Sequence, residues 1–227
     1  MAHITQYTFD FLHDLTSNNN RDWFTENKLR YEKSHKEMYT FADSIMDELN
    51  KFDSISTASG KKSLYRIYRD VRFSKNKDSY KTNRSGSFAR EGANRRGGYF
   101  FSVSPGESII GGGFYQPNTD DLNLIRKQIE LDAKPLRQVL GNQKFKKYYH
   151  QLLGEQLKTA PRGFDKEDPN IDLLRYKSFY VVHKFTDQEV LADDFENKVI
   201  EGYKTLQGFF DVMSSYLTTD FNGESTI

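Results

Sequence analysis

The sequence contains no cysteine, which excludes disulfides, zinc–thiolate sites, iron–sulfur clusters and thiol nucleophiles together. A cysteine-free chain fits a reducing compartment, so a cytoplasmic location is expected. Long apolar runs are missing too. No stretch approaches the ~20 apolar residues that span a bilayer, and the longest runs, such as Phe179–Val182, are strand-sized, so no membrane partner is expected. Met1–Asp10 lacks the basic start and apolar core of a signal peptide. The five histidines, His3, His13, His35, His150 and His183, do not pair at metal-ligand spacing, so neither a metal nor a cofactor is expected. There is no G-x-x-x-x-G-K-S/T phosphate loop, no G-x-S-x-G elbow, no H-E-x-x-H and no EF-hand loop. Gly111-Gly112-Gly113 does not fit the dinucleotide fingerprint and reads as a bulge or a point of close backbone packing, with a backbone cradle for a ligand as the functional alternative.

What is present is aromatic. Apolar residues make up only 36% of the 227, yet 15% are aromatic, with 18 Phe and 14 Tyr. Each ring buries a large area, and a chain of this length hides roughly 70% of its unfolded surface. A single domain over residues 1–227 is expected, ordered over 7–217 with 218–227 as a frayed tail.

Hydrophobic spacing places helices at both ends. Thr8–Leu15 reads as a short helix. Arg21–Asn50 reads as one long helix or two in succession, with Tyr31, Met38, Phe41, Ile45, Leu49 and Phe52 as its stripe. Asp193–Leu217 reads as one amphipathic helix through Phe195, Val199, Tyr203, Leu206, Phe210, Met213 and Leu217. Between them, Leu64–Phe73 alternates with period two and predicts a strand, and Ser74–Gly98 predicts a long loop. Gly98–Ser104 and Ser108–Tyr115 predict a hairpin about the Ser104-Pro105-Gly106-Glu107 turn. Asn118 or Thr119 caps a helix to Leu131. Short helices at Ala133–Gly141 and Lys144–Leu153, a strand at Gly154–Ala160, a helical turn at Asp168–Leu174 and a strand at Lys177–Phe185 complete the pattern. Strict βαβ alternation is absent, which predicts an α+β fold: a mainly antiparallel central sheet with helices from both ends of the chain packed on it.

Charge supplies the functional signal. The chain totals +1, but Lys61–Arg96 holds twelve Lys/Arg against Asp70, Asp78 and Glu91. The remainder is therefore net acidic, and such asymmetry predicts an anionic partner or internal pairing. On a strand, Arg66, Tyr68, Asp70 and Arg72 share one face. Arg66 and Arg72 lie six residues apart with Tyr68 and Asp70 between them, so the face spans about 20 Å at about 3.3 Å per residue. A planar guanidinium donates two parallel hydrogen bonds to phosphate or carboxylate, and Asp70 would orient one of them. A solvated, salt-bridged sheet surface is the plain structural reading of the same pattern. The rigid turn Pro161-Arg162-Gly163-Phe164 presents a further arginine, with Arg175 and Lys177 downstream.

These residues carry a resemblance. Asn18-Asn19-Asn20-Arg21-Asp22-Trp23-Phe24 with Asn27-Lys28, the Arg66–Lys77 block with Tyr80-Lys81-Thr82-Asn83, Gly112-Gly113-Phe114-Tyr115, and Pro161-Arg162-Gly163-Phe164 with Leu173-Leu174-Arg175 resemble the bacterial and fungal proteins grouped as domain-of-unknown-function family 2461. The resemblance covers about Phe9 to Tyr216. It implies a single domain and carries no assigned activity. This chain has Asn76 where family members often have Asp, Ser79 where they have Pro, and Glu167-Asp168-Pro169 where they often have Asp-His-Pro.

The expected function is a binding module for a phosphorylated ligand or nucleic acid. Its site is built from Arg66, Arg69, Arg72, Lys75, Lys77, Tyr80, Lys81 and Arg162, with Lys77 and Lys81 closing over the anion. The alternatives are an enzyme on an anionic substrate, with Asp70 or His183 as the acid–base group, and a scaffold that docks an acidic protein surface.

Overall fold

The computed structural model describes residues 2–227. In chain order the helices α1 (Gln6–Ser17), α2 (Arg21–Glu26), α3 (Lys28–Leu49) and α4 (Gly60–Ser63) precede three strands, β1 (Arg84–Ala89), β2 (Gly98–Val103) and β3 (Ser108–Phe114). There follow α5 (Thr119–Leu131), α6 (Lys134–Gly141), α7 (Gln143–Tyr149) and α8 (Ile171–Leu174), then β4 (Phe179–Phe185), α9 (Asp187–Val190), α10 (Phe195–Thr205) and α11 (Gln207–Thr218). The strands form one antiparallel sheet in the order β1-β2-β3-β4. The fold is α+β, with helices from both ends of the chain. No helix among the described residues is long and apolar enough to cross a membrane.

The chain's contacts gather into two compact units. The first comprises residues up to Ala89 with Phe100–Ile110 and Lys184–Glu201. Its frame is α3, which buries Met38, Phe41, Ala42, Ile45 and Leu49 along one stripe. Phe41 stacks on Phe195 at 5.4 Å and meets Phe101 edge-on. The Thr8 hydroxyl donates to the Ser34 hydroxyl at 3.0 Å and ties α1 to α3. Asn20 caps α2 by accepting from the Trp23 N–H. The amide of Asn27, at the junction of α2 and α3, donates to the Trp23 carbonyl. Gly60 lies so close to α3 that an added Cβ would stand 2.3 Å from the Tyr39 carbonyl oxygen. No larger residue fits there without moving α4, and α4 carries Lys61.

The second unit comprises Arg90–Tyr99, Gly111–His183 and Gly202–Ile227. Asn118 caps α5 by accepting from the Asp121 N–H, and α5 buries Ile125 and Ile129. A Cβ on Gly111 or Gly113 would lie 2.3 Å from the Val181 or Phe179 carbonyl oxygen. The triple glycine is thus a close backbone approach to β4, as one of its two sequence readings held.

Four expectations are corrected. Leu64–Phe73 is not a strand: it makes only the isolated bridges Leu64↔Gly86 and Tyr68↔Tyr80. Ser74–Gly98 is not all loop, since it contains β1. Gly154–Ala160 is no strand, because Gln156↔Tyr176 is an isolated bridge. Asp193–Leu217 is two helices. At Leu206 the N–H bonds to the Tyr203 carbonyl, three residues back, and the helix is interrupted there.

Candidate functional site

The ribbon Leu64–Gly86 owes its shape to a shift in pairing. The Tyr65 N–H bonds to the Ser85 carbonyl, the Lys81 N–H to the Ile67 carbonyl and the Arg69 N–H to the Ser79 carbonyl. One residue, Arg66, therefore stands opposite three, Thr82, Asn83 and Arg84. The two extra residues form a bulge, a device that interrupts a ladder and re-aims a side chain. The bulge carries Arg84, whose side chain is buried at 1% exposure.

Arg84 meets a face of α3. Tyr31, His35 and Tyr39 recur every four residues and so share one side of that helix. The His35 ring lies parallel to Tyr31 at 5.5 Å and edge-on to Tyr39 at 5.7 Å. The Arg84 Nη2 donates to His35 Nδ1 at 2.9 Å, and its guanidinium carbon lies 5.6 Å from the Tyr31 ring centre. A guanidinium only donates, so Nδ1 must accept and the proton of a neutral His35 sits on Nε2. The Arg84 Nε is buried with no hydrogen-bond partner.

The electrostatics follow from this crowding. Burial, then Arg84 and Lys61, push the His35 pKa down to about 4. Burial lowers the pKa of Arg84, partly opposed by Tyr31. The Lys81 pKa falls through burial and then through Arg66 and Arg84. The phenols of Tyr31 and Tyr80 are both raised by burial, and each feels Tyr68. Cations thus repel one another around an imidazole that cannot stay protonated. Among the described residues no carboxylate pairs with Arg84, Lys61 or Lys81. A buried cation without a carboxylate is costly, and an oxyanion would relieve that cost.

The residues expected from sequence fall into separate places. Lys81 feels the charges of both Arg66 and Arg84, and its Nζ lies 5.5 Å from the Tyr65 ring centre. Tyr80 is buried. It stacks on Phe24 at 4.0 Å, and Asn19 both donates to its carbonyl and accepts from its N–H. Arg69 pairs with Asp78 at 3.6 Å. Arg72 grips Asp70 with two hydrogen bonds, of 2.9 and 2.7 Å, which hold the Asp70 carboxyl below its usual pKa. Lys75 is exposed, and Lys77 donates to the Val71 carbonyl across the turn. Arg162 is exposed on its turn in the second unit, where Gly163 takes φ +89°. His183, also in the second unit, bonds through Nδ1 to the Tyr148 carbonyl and packs on the Tyr148 ring at 4.2 Å.

Sequence reasoning passed over Arg84, His35 and Tyr39 as site residues and took Tyr31 for core. The i, i+4, i+8 spacing of Tyr31, His35 and Tyr39 was the available signal. No curated protein and no solved structure matches the chain. The profile of one family matches residues 7–211, and the chain belongs to that family, described as conserved hypothetical protein (DUF2461).

Proposed function

We propose that the first unit is a binding module for the phosphate or other oxyanion of a ligand, with Arg84 at the base of the site. The observation that carries this reading is a guanidinium at 1% exposure whose Nε has no partner and which no carboxylate neutralises among the described residues. Arg66, Lys61 and Lys81 supply further positive charge, and neutral His35 offers an Nε2 proton. Charge-assisted hydrogen bonds to such an anion are strong in a site of reduced polarity. The remaining expected cations, Arg69, Arg72, Lys75 and Lys77, serve as an outer basic rim. Arg162 is left outside this reading. A cysteine-free binder of this kind fits the cytoplasm.

An enzyme would need a group free to exchange protons. The hydrogen bonds from Arg72 hold the Asp70 carboxyl below its usual pKa, which makes it a weaker proton acceptor and favours binding over catalysis at that residue. The test is a titration of the protein with inorganic phosphate, followed by the NMR signal of the His35 ring. A saturable shift that disappears in Arg84→Met is expected. No shift in the unsubstituted protein refutes the reading.

A further inference from the structure

The ribbon carries three exposed rings, Phe73 at 96%, Tyr68 at 55% and Tyr65 at 42% exposure, and Tyr68 rests its inner edge on Phe24 and Tyr80. Large apolar side chains left in water singly need no explanation. Three on one short ribbon, interleaved with cations, form a pattern. Lys81 lies over Tyr65, and Arg72 lies 5.9 Å from the Phe73 ring centre. Arg66 is exposed between Tyr65 and Tyr68 in the chain, and Lys75 is exposed two residues beyond Phe73.

We propose that this ribbon binds single-stranded nucleic acid, with bases stacked on Tyr65, Tyr68 and Phe73 and a backbone phosphate at the Arg84 cluster. The proposal rests on the reading of that cluster as an oxyanion site. Two chemistries point to this partner. Phosphates every few ångströms match cations spaced along a ribbon. Flat, exposed rings match bases that are unstacked and free to lie on them, which a duplex does not offer. An acidic protein surface would satisfy the cations and leave the rings without a role. A lone phosphorylated metabolite would use the Arg84 cluster and leave Phe73 in water.

The experiment uses the full chain and a fluorescent mixed-sequence single strand, measured by polarisation across a salt series. The same sequence as a duplex, inorganic phosphate and vesicles containing phosphatidylserine form the other arms. The single strand is expected to bind more tightly than the duplex, with affinity falling steeply as salt rises. Phe73→Ala, at a fully exposed position, is expected to weaken it about tenfold, the scale of one lost base stack, with the salt slope unchanged. Lys75→Ala is expected to reduce the slope. Equal binding of duplex and single strand, or no loss in Phe73→Ala and Tyr68→Ala, overturns the stacking proposal. So does preference for the vesicles. If phosphate still shifts the His35 signal but no oligonucleotide binds, this inference fails and the oxyanion reading stands. If the oligonucleotide binds equally well to Arg84→Met, both the assignment of its phosphate to Arg84 and this inference fail.

Discussion

Two buried arginines, one in each unit, show how the same side chain can serve opposite ends. Arg126 on α5 is 7% exposed, and Arg84 on β1 is 1% exposed. Burial lowers the pKa of both. Arg126 donates from Nε to the Leu174 carbonyl at 2.9 Å and from Nη2 to the Tyr176 carbonyl at 3.1 Å. It thereby closes the segment that leads from α8 into β4. Arg84 donates to a single imidazole and keeps its Nε unpaired. The first is a completed structural contact. The second is an incomplete one, and the proposed oxyanion would complete it.

The sharpest way to test the contrast is to remove each arginine. Arg126→Ala leaves two carbonyls without their charged donor, and a loss of about 3 kcal/mol is expected, read from the midpoint of urea unfolding. Arg84→Met removes a buried charge that nothing neutralises. It is expected to stabilise the protein by about 1–3 kcal/mol while phosphate binding is lost. A fall in stability as large as that of Arg126→Ala would place Arg84 on the structural side of the comparison.

A pH series sharpens the same contrast. His35 titrates at about 4 in the folded protein, below its ordinary 6.5. Its neutral form is therefore favoured by folding. The associated stability is present above pH 6.5 and drains away as the pH falls toward 4. The ring is half-buried, so after allowance for solvent screening the effect is about 1–2 kcal/mol. In Arg84→Met this acid-side loss is expected to shrink, because one of the charges that depress His35 is gone. The smallest effect belongs to Phe73→Ala. At a fully exposed ring, stability is expected to change by less than about 0.5 kcal/mol, so any change in binding there reads the proposed interface alone.

The helical frame was legible in the sequence because burial along a helix repeats every three or four residues. Met38, Phe41, Ile45 and Leu49 are all buried. The cap at Asn118 and the Pro105-Gly106 turn were legible too, since Gly106 takes φ +74° where the turn requires it. The same periodicity was blind to the break at Leu206, because the apolar stripe runs through both α10 and α11. Leu64–Phe73 shows why alternation and strand are different things. Ile67 is buried between exposed Arg66 and Tyr68, as period two predicts, but the bulge opposite Arg66 prevents a continuous ladder. β1 was hidden by its composition, Arg-Ser-Gly-Ser-Phe-Ala, which favours no strand by propensity. Its Gly86 answers a tertiary need, as a Cβ there would stand 2.7 Å from the Ser63 carbonyl oxygen. Arg84 was the least legible. In a run of twelve basic residues, nothing local distinguishes the one that the bulge turns inward.

Asn19 plays a part beside that ribbon that belongs to no side chain in ordinary sheet pairing. At the bridge Tyr68↔Tyr80 the flanking hydrogen bonds come from residues 69 and 81, so the N–H and C=O of Tyr80 point away from the partner segment. Asn19 meets both with one amide, at 2.9 and 3.0 Å, in place of a neighbouring peptide unit. An open ribbon margin is a template for recruiting another chain. The asparagine acts as a stopper at Tyr80, whose peptide groups are thereby withheld from any further strand beside an aromatic, cation-rich ribbon.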